Sequence, residues 1–148
     1  MAIDPNDYKA MNKLMREICA AINIKTFRGD FIKSKFVTTL LSGFVKTRFG
    51  ILLITVKPIY EGNLVSFLPE ITKNKMMSHV ADRIIETVYE VTFKLRIMHN
   101  GLKPENFLIN VNKEDGTYHI ALADFKFAHI YDRHRIIKLE KADLLEIV

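Results

Sequence analysis

The sequence predicts an α+β fold, and three observations lead to that prediction. Two stretches repeat their apolar residues at intervals of three and four, which is the spacing of amphipathic helices. Two other stretches are rich in β-branched and aromatic residues and contain the turn signals of β-hairpins. The chain has 148 residues, of which 49% are apolar and 26% are charged, so it can bury the core of one domain but hardly of two.

The first predicted element is a helix over residues 7–23. Asn6 or Asp7 can cap its first turn. Its apolar residues recur at helical spacing, and we expect the face that they share to be buried. These residues are Met11, Leu14, Met15, Ile18 and Ile22.

A β-hairpin is predicted next. Residues 37–46 and 49–56 are β-branched and aromatic, and Gly43, Gly50 and Gly62 interrupt them. This composition is typical of two antiparallel strands that are joined by a tight turn.

The strongest periodic segment predicts a long buried helix over residues 78–98, with about five or six turns. Its apolar stripe consists of Val80, Ile84, Val88, Val91, Leu95 and Met98. A second hairpin is predicted from residues 107–111 and 118–123, because Asp115-Gly116 between them is a hairpin-turn signal. The tail from Asp132 is a further helix candidate.

Composition also indicates where the protein works. The longest apolar runs, such as residues 51–54, are far shorter than the roughly 20 residues that span a bilayer, and the N-terminus lacks the regions of a signal peptide. Cys19 is the only cysteine, so no intramolecular disulfide is expected. We therefore expect no membrane association and a cytoplasmic or other reducing intracellular location. Many isoleucines, and 15 Lys against 7 Arg, favour an AT-rich genome, such as that of a virus, an intracellular parasite or a bacterium. For a viral source, the location would be the host cytoplasm.

The net charge of +5 is concentrated in the first third of the chain, where residues 1–50 hold 9 basic and 4 acidic side chains. A basic face of this kind can bind nucleic acid or an acidic protein. Cations and rings alternate there as they do in grooves for single-stranded nucleic acid: Lys25, Phe27, Arg28, Phe31, Lys33, Lys35 and Phe36. No RNP, zinc or helix-turn-helix pattern accompanies them, so we expect a solvated surface with core-facing phenylalanines and no nucleic-acid ligand.

Two motifs after the long predicted helix carry a resemblance to a known family. The peptide His99-Asn100-Gly101-Leu102-Lys103-Pro104-Glu105-Asn106 is similar to His-Arg-Asp-Leu-Lys-Pro-Glu-Asn, the catalytic loop of eukaryotic protein kinases. Asp124-Phe125-Lys126 follows and looks like the Asp-Phe-Gly magnesium motif of the same family. The two motifs stand in the order of the family, with a predicted hairpin between them. The chain therefore resembles a truncated and degenerate protein kinase, most specifically over residues 99–126.

Weaker agreement extends the resemblance to roughly residues 8–130. Residues 52–58, followed by 61–64, are similar to the fifth strand and hinge of a kinase, and Glu17 stands where the glutamate of the αC helix would fall. The resemblance implies a single truncated domain over residues 1–148. It would contain a reduced N-lobe of one helix and an antiparallel hairpin (about 6–60), a truncated helical C-lobe core (61–130) and a tail (131–148).

The degenerate loop lacks the group that a kinase uses as a proton acceptor. In the family an aspartate of the loop accepts the proton of the substrate hydroxyl, but Gly101 occupies its position and Asn100 replaces the usual arginine. Acid–base assistance of this kind is typically worth about 10²–10⁴ in rate. In structural terms, Gly101 is expected to be a turn glycine with positive φ. The six glycines are isolated, so the glycine-rich loop of the family has no counterpart.

The resemblance also implies candidate ligand positions. Asn106 and Asp124 match the two residues that hold Mg²⁺, Lys103 matches the lysine near the transferring phosphate, and Glu17 would belong to the cofactor site. Lys126 replaces the glycine of the motif, where its ammonium group can pair with Asp124 and compete with a metal. We therefore expect no cofactor, and Mg-ATP binding stays open as an alternative.

Three functions follow from these observations. The favoured one is a catalytically inactive kinase-like protein that binds a protein partner or a further copy of itself, because a truncated kinase exposes apolar surface that something must cover. The alternatives are a minimal, atypical Mg-ATP-dependent kinase and a basic nucleic-acid-binding protein. The apolar tail from residue 132 is a candidate for the covering or docking role.

Overall fold

Strand β1 (Ala2–Ile3) and helix α1 (Tyr8–Thr26) begin the fold. The computed structural model describes residues 2–4, 6–26, 35–37 and 41–131, and the predicted tail helix from Asp132 lies outside them. Helix α1 confirms the predicted first helix and extends three residues beyond it. The helices and small antiparallel sheets of the described residues make the fold α+β, as predicted.

Strands β2 (Leu41–Thr47) and β3 (Gly50–Val56) form the first predicted hairpin, in which Thr47 pairs with Gly50. Phe49 was predicted to start the second strand but lies in the two-residue turn. Gly50 has a φ of +128°, a conformation that side chains rarely adopt. Strand β1 pairs with the other edge of β3 and completes a three-stranded sheet.

The predicted start of the first strand at Val37 is wrong. The N–H of Val37 donates to the carbonyl of Leu122 (2.8 Å), and the N–H of Leu122 donates to the carbonyl of Lys35 (2.8 Å). Residues 35–37 therefore form a parallel bridge with a strand far along the chain. Residues 38–40, which the prediction also placed in the strand, lie outside the described residues.

Strand β4 (Gly62–Asn63) leads into helix α2 (Leu64–Lys73). Asn63 and Ser66 form a reciprocal cap: the Ser66 N–H donates to the Asn63 side chain at 3.0 Å, and the Asn63 N–H donates to Ser66 Oγ at 2.9 Å. This arrangement satisfies backbone donors that the first turn of a helix leaves without partners.

The long predicted helix over residues 78–98 ends earlier than expected. Helix α3 (Met77–Tyr89) continues as a π-helical turn (Glu90–Lys94), in which the Leu95 N–H donates to the Glu90 carbonyl at 2.9 Å. Arg96 then has a φ of 54°, which ends the helix. The next residues form strand β5 (Ile97–Met98), paired with β8 (His129–Ile130). Apolar spacing could not reveal this change, because Leu95 and Met98 continue the helical stripe in the sequence, whereas the structure buries Leu95 and Ile97.

The second predicted hairpin is confirmed almost to the residue. A 3₁₀ turn (Pro104–Asn106) leads into β6 (Phe107–Val111), which pairs with β7 (Tyr118–Leu122). Gly116 has the positive φ (71°) that the turn requires. Strand β4 adds to the other edge of β6, so these three strands form the second sheet.

The core lies between α1, α3 and the β6–β7 hairpin. Phe107, Ile109, Leu122, Val80 and Val91 are almost completely buried there. The predicted buried face of α1 is only partly right. Its buried residues are Leu14, Glu17, Ala20, Ala21 and Ile24, whereas Met15 and Ile22 are exposed.

A buried ion pair joins residues 35–37 to helix α3. Lys35 Nζ lies 3.0 Å from Glu90 Oε1 and 3.0 Å from Glu86 Oε1. Lys35 and Glu90 are both buried, whereas the Glu86 side chain is partly open to solvent. Lys35 lowers the pKa of Glu86, chiefly through the side-chain hydrogen bond. The pair therefore compensates charges that would be costly to bury alone.

None of the helices in the described part of the chain combines the length and the apolarity that crossing a membrane requires.

Replacing Lys35 with methionine should lower the free energy of unfolding by about 3–5 kcal/mol, because Glu90 would stay buried without its cation. Urea denaturation of wild type and variant measures this loss. Arg83→Met is the control, since Arg83 makes an exposed pair with Glu86 at 3.3 Å and its loss should cost less than about 1 kcal/mol. The double variant Lys35→Met/Glu90→Leu should recover most of the lost stability. Equal losses in the two single variants would contradict the role of the buried pair.

Candidate functional site

The candidate site is a cleft of about 710 Å³ between helix α1, the residues after β3, and residues 123–126. Leu14, Val37 and Leu108 contribute apolar lining. Charged side chains also line the cleft: Asp7, Lys9, Lys13, Glu17, Lys57, Asp124 and Lys126. Its volume lies in the range of small-molecule sites, which are mostly apolar with a few polar groups.

Glu17 lies in this cleft on the buried face of α1. Its side chain pairs with Lys57, whose Nζ lies 2.8 Å from Glu17 Oε2. Lys57 directly follows β3, so the pair ties helix α1 to the end of the first sheet. Sequence reasoning identified Glu17 but missed Lys57. The sequence pointed to Lys57 only indirectly: a glutamate on a buried helix face requires a cationic partner, but the sequence does not say which residue supplies it.

Asp124 lies on the opposite side of the cleft from α1 and also has a lysine partner. Lys126 Nζ is 3.3 Å from Asp124 Oδ2, which is the pairing that the sequence indicated. Asp124 has a φ of 66°, a conformation that non-glycine residues seldom adopt. Within the described ranges, no group of three or more His, Cys, Asp or Glu side chains is arranged to hold a metal ion. The neighbouring ammonium group thus supplies the positive charge beside this carboxylate.

His99 anchors the loop of residues 99–106 to the segment that precedes Asp124. Its Nε2 lies 2.8 Å from the carbonyl oxygen of Ala123, so Nε2 must carry the proton. The ring packs edge-on against Phe125, with the centroids 4.9 Å apart. The Nδ1 atom is buried and has no hydrogen-bond partner among the described residues. His99 therefore holds the segment before Asp124 against the loop and has a structural role.

Burial lowers the pKa of His99 below its ordinary value of 6.5, although the Ala123 carbonyl and Asp124 oppose this effect. The physical cause is the cost of placing a charged imidazole in surroundings that water does not reach. A second proton on Nδ1 would also be buried without an acceptor. The folded protein therefore favours neutral His99.

Asn100 and Asn106 complete the hydrogen bonds of the loop. The Asn106 side chain is buried and donates to the Gly101 carbonyl at 2.7 Å, and the backbone carbonyl of Asn106 accepts from the N–H of Ala123 at 2.8 Å. Asn100 donates to the Phe127 carbonyl at 2.9 Å. The structure thus places Asn106 next to the residue that precedes Asp124. Lys103 is exposed, and neither Lys103 nor Asn106 is among the residues that line the cleft.

Gly101 does not have the positive φ that the sequence suggested; Asn100 has it instead, at 61°. A Cβ atom at position 101 would lie 3.5 Å from the His99 ring and 3.6 Å from Asn106 Nδ2. These are ordinary van der Waals distances, so neither backbone conformation nor space requires glycine here. The fold therefore tolerates a Cβ atom at this position, where the sequence provides none.

The alternating cations and rings of residues 25–36, considered above as a nucleic-acid groove, differ in their burial. Lys35 and Phe36 are buried, the first in the ion pair with Glu90 and the second against Phe125. Lys25 is exposed, at the end of α1. The other members of the set, between residues 27 and 33, lie outside the described residues. Lys35 and Phe36, two of the seven side chains in the set, are therefore buried in the core. For Phe36 this agrees with the prediction that the phenylalanines of the set face the core.

Comparison with the models of known protein families finds none that matches this chain, and a search of curated proteins finds no match either. The likeness to protein kinases therefore rests on the residues of the two motifs.

We expect His99 to make the stability of the protein depend on pH. Below about pH 6.5 the unfolded chain binds a proton that the folded chain resists, so the free energy of unfolding should fall as the pH falls toward the lowered pKa of the native state. One such group contributes a slope of at most about 1.4 kcal/mol per pH unit. Thermal melts of wild type and His99→Gln between pH 7 and pH 5 measure this difference.

In that experiment, His99→Gln should be less stable than wild type at pH 7 but should lose less stability on acidification. The control is His129→Gln, which changes an exposed histidine on β8 and should keep the wild-type dependence on pH. A wild-type slope in His99→Gln would mean that another group is responsible.

Proposed function

We propose that this chain is a catalytically inactive, kinase-like protein that acts by binding another protein. The observation that carries the proposal is Gly101. Phosphoryl transfer to a hydroxyl needs a group that accepts the proton, and position 101 offers none, although a Cβ atom there would meet only ordinary contacts. The nearby amides of Asn100 and Asn106 donate hydrogen bonds to carbonyl groups and are not bases near neutral pH.

The ion pairs of the cleft support the same proposal. Asp124 is paired with Lys126, and Glu17 is paired with Lys57. A divalent cation at Asp124 would have to displace the ammonium group of Lys126, or bind beside it against its charge. Both carboxylates thus have an ammonium partner within the protein, which favours a structural role for these two pairs.

The β2–β3 hairpin supports binding to a protein. Phe44, Phe49 and Ile51 are exposed, Phe49 by 86%, and they line a groove of about 590 Å³. Residues 31–60 contain no Asp or Glu, and Lys46 and Arg48 lie on the hairpin beside the apolar side chains. Asp4 also lines the groove, whereas Lys46 and Arg48 lie on the hairpin outside its lining. Exposed apolar groups beside these two cations fit an apolar partner surface with acidic groups opposite Lys46 and Arg48.

A second candidate function is a minimal Mg-ATP-dependent kinase, and the size of the cleft favours it. A volume of about 710 Å³ accommodates a small molecule, and Asp124 and Glu17 both face it. This candidate requires a proton acceptor other than residue 101, and a cation that replaces Lys126 at Asp124.

We expect wild-type protein to transfer no more label from γ-labelled ATP to itself or to a general protein substrate than Asp124→Ala does. Gly101→Asp is the informative partner variant, because its Cβ meets only ordinary contacts and its melting temperature should stay within a few degrees of wild type. Transfer that appears in Gly101→Asp and disappears in Gly101→Asp/Asp124→Ala would show that the missing carboxylate alone made the chain inactive. Transfer by wild type that depends on Asp124 would refute the proposal and support the second candidate.

The binding half of the proposal predicts a partner whose affinity depends on the hairpin. A chain that co-purifies from the native source should bind the purified protein in a calorimetric titration, and Phe49→Asp should weaken binding by about tenfold or more, as at the centre of an interface. Asn112→Asp adds the same charge to an exposed loop and should bind like wild type. Equal affinities of the two variants would exclude the hairpin as the binding surface.

A further inference from the structure

Helix α3 and the π-helical turn after it expose a row of apolar side chains, which we call the α3 stripe. Its members are four residues apart: Met77, Ala81, Ile85, Tyr89 and Phe93. Residues at this spacing lie above one another on a single helix face. The rings of Tyr89 and Phe93 have their centroids 5.0 Å apart, so the row continues across the start of the π-helical turn.

The α3 stripe is exposed although the helix already has a buried apolar face. Val80, Ile84 and Val88 face the core, whereas Ile85 and Tyr89 are 50% and 53% exposed. A helix that is apolar on both sides is typically covered on both sides. A contiguous exposed apolar row therefore indicates a docking surface.

The described chain ends beside this surface. Tyr131 donates its backbone N–H to the carbonyl of Arg96 at 3.1 Å, and its hydroxyl donates to the carbonyl of Thr92. Thr92 is the neighbour of Phe93, so Tyr131 brings the chain to the C-terminal end of the α3 stripe. The next residues, 132–148, lie outside the described residues.

These following residues have the composition and the length to cover the stripe. Seven of the 17 are large and apolar: Ile136, Ile137, Leu139, Leu144, Leu145, Ile147 and Val148. Seventeen residues reach about 25 Å even at the short rise of a helix, and the stripe from Phe93 back to Met77 is about 24 Å long. We propose that residues 132–148 pack along the α3 stripe, from its Phe93 end toward Met77.

The chain contains no tryptophan, so the fluorescence of a single introduced tryptophan can report whether the α3 stripe is shielded from solvent. The indole of Tyr89→Trp should emit at short wavelength and resist quenching by acrylamide if the following residues pack on it. Adding Leu144→Asp and Leu145→Asp should shift its emission to longer wavelength and raise the quenching constant by about twofold or more, because the apolar contact is lost.

The control places the indole at the tip of the β2–β3 hairpin with Phe49→Trp, where the same two aspartates should leave the emission and the quenching unchanged. Far-ultraviolet circular dichroism of each variant reports whether the substituted chain stays folded. An indole at position 89 that is freely quenched in the otherwise native chain would overturn the proposal, since nothing would then cover the stripe. Quenching that depends on protein concentration and ignores the aspartates would overturn it in favour of a second copy of the chain.

Discussion

The backbone of Leu122 and Ala123 is the junction on which the rest of the structure depends. Leu122 exchanges hydrogen bonds with Lys35 and Val37, and Ala123 donates to the Asn106 carbonyl while its own carbonyl accepts from His99. The N–H and C=O groups of both residues are thus satisfied by segments that are 17 to 87 positions away in sequence. Buried backbone groups must be paired somewhere, so these bonds determine how the first part of the chain, the degenerate loop and Asp124 lie relative to one another. Asp124 follows this junction directly, which is why the cleft forms where it does.

Three carboxylates around this junction each have a lysine partner. Lys35 pairs with Glu90 and Lys57 with Glu17, both from distant parts of the chain, and Lys126 pairs with Asp124 from two residues away. Removing a partner from a buried pair is costly, whereas the formation of such a pair adds little net stability. The two long-range pairs, Lys35–Glu90 and Lys57–Glu17, therefore specify which segments meet more than they strengthen the fold. In the cleft, Glu17 and Asp124 each have an ammonium partner, which is the electrostatic basis for proposing a binding function and no phosphoryl transfer.

Much of the architecture could be predicted because it depends on local signals. The β6–β7 hairpin is confirmed because strand-forming residues flank an Asp-Gly turn, and α1 is confirmed because its spacing and cap agree. The end of α3 could not be predicted, since Leu95 and Met98 continue its helical spacing and no glycine or proline stands in residues 90–98 to mark an end. The buried face of α1 was partly missed because Ala20, Ala21 and Glu17 contribute to it, and none of these is a strong apolar marker. In the candidate site, the motifs identified Glu17, Asp124 and Lys126, but Lys57 was missed because its pairing depends on a contact 40 residues away.

By itself the sequence determined an α+β pattern and the absence of a side chain at position 101, and it predicted the likeness of residues 99–106 to a kinase catalytic loop. These properties are local, so they follow from composition and spacing. The tertiary structure decided that glycine at position 101 is not required by the backbone, that Lys35 and Phe36 belong to the core, and that α3 exposes a second apolar face. Each of these depends on long-range packing and on the pairing of buried polar groups, and such contacts become known only when distant segments have been brought together.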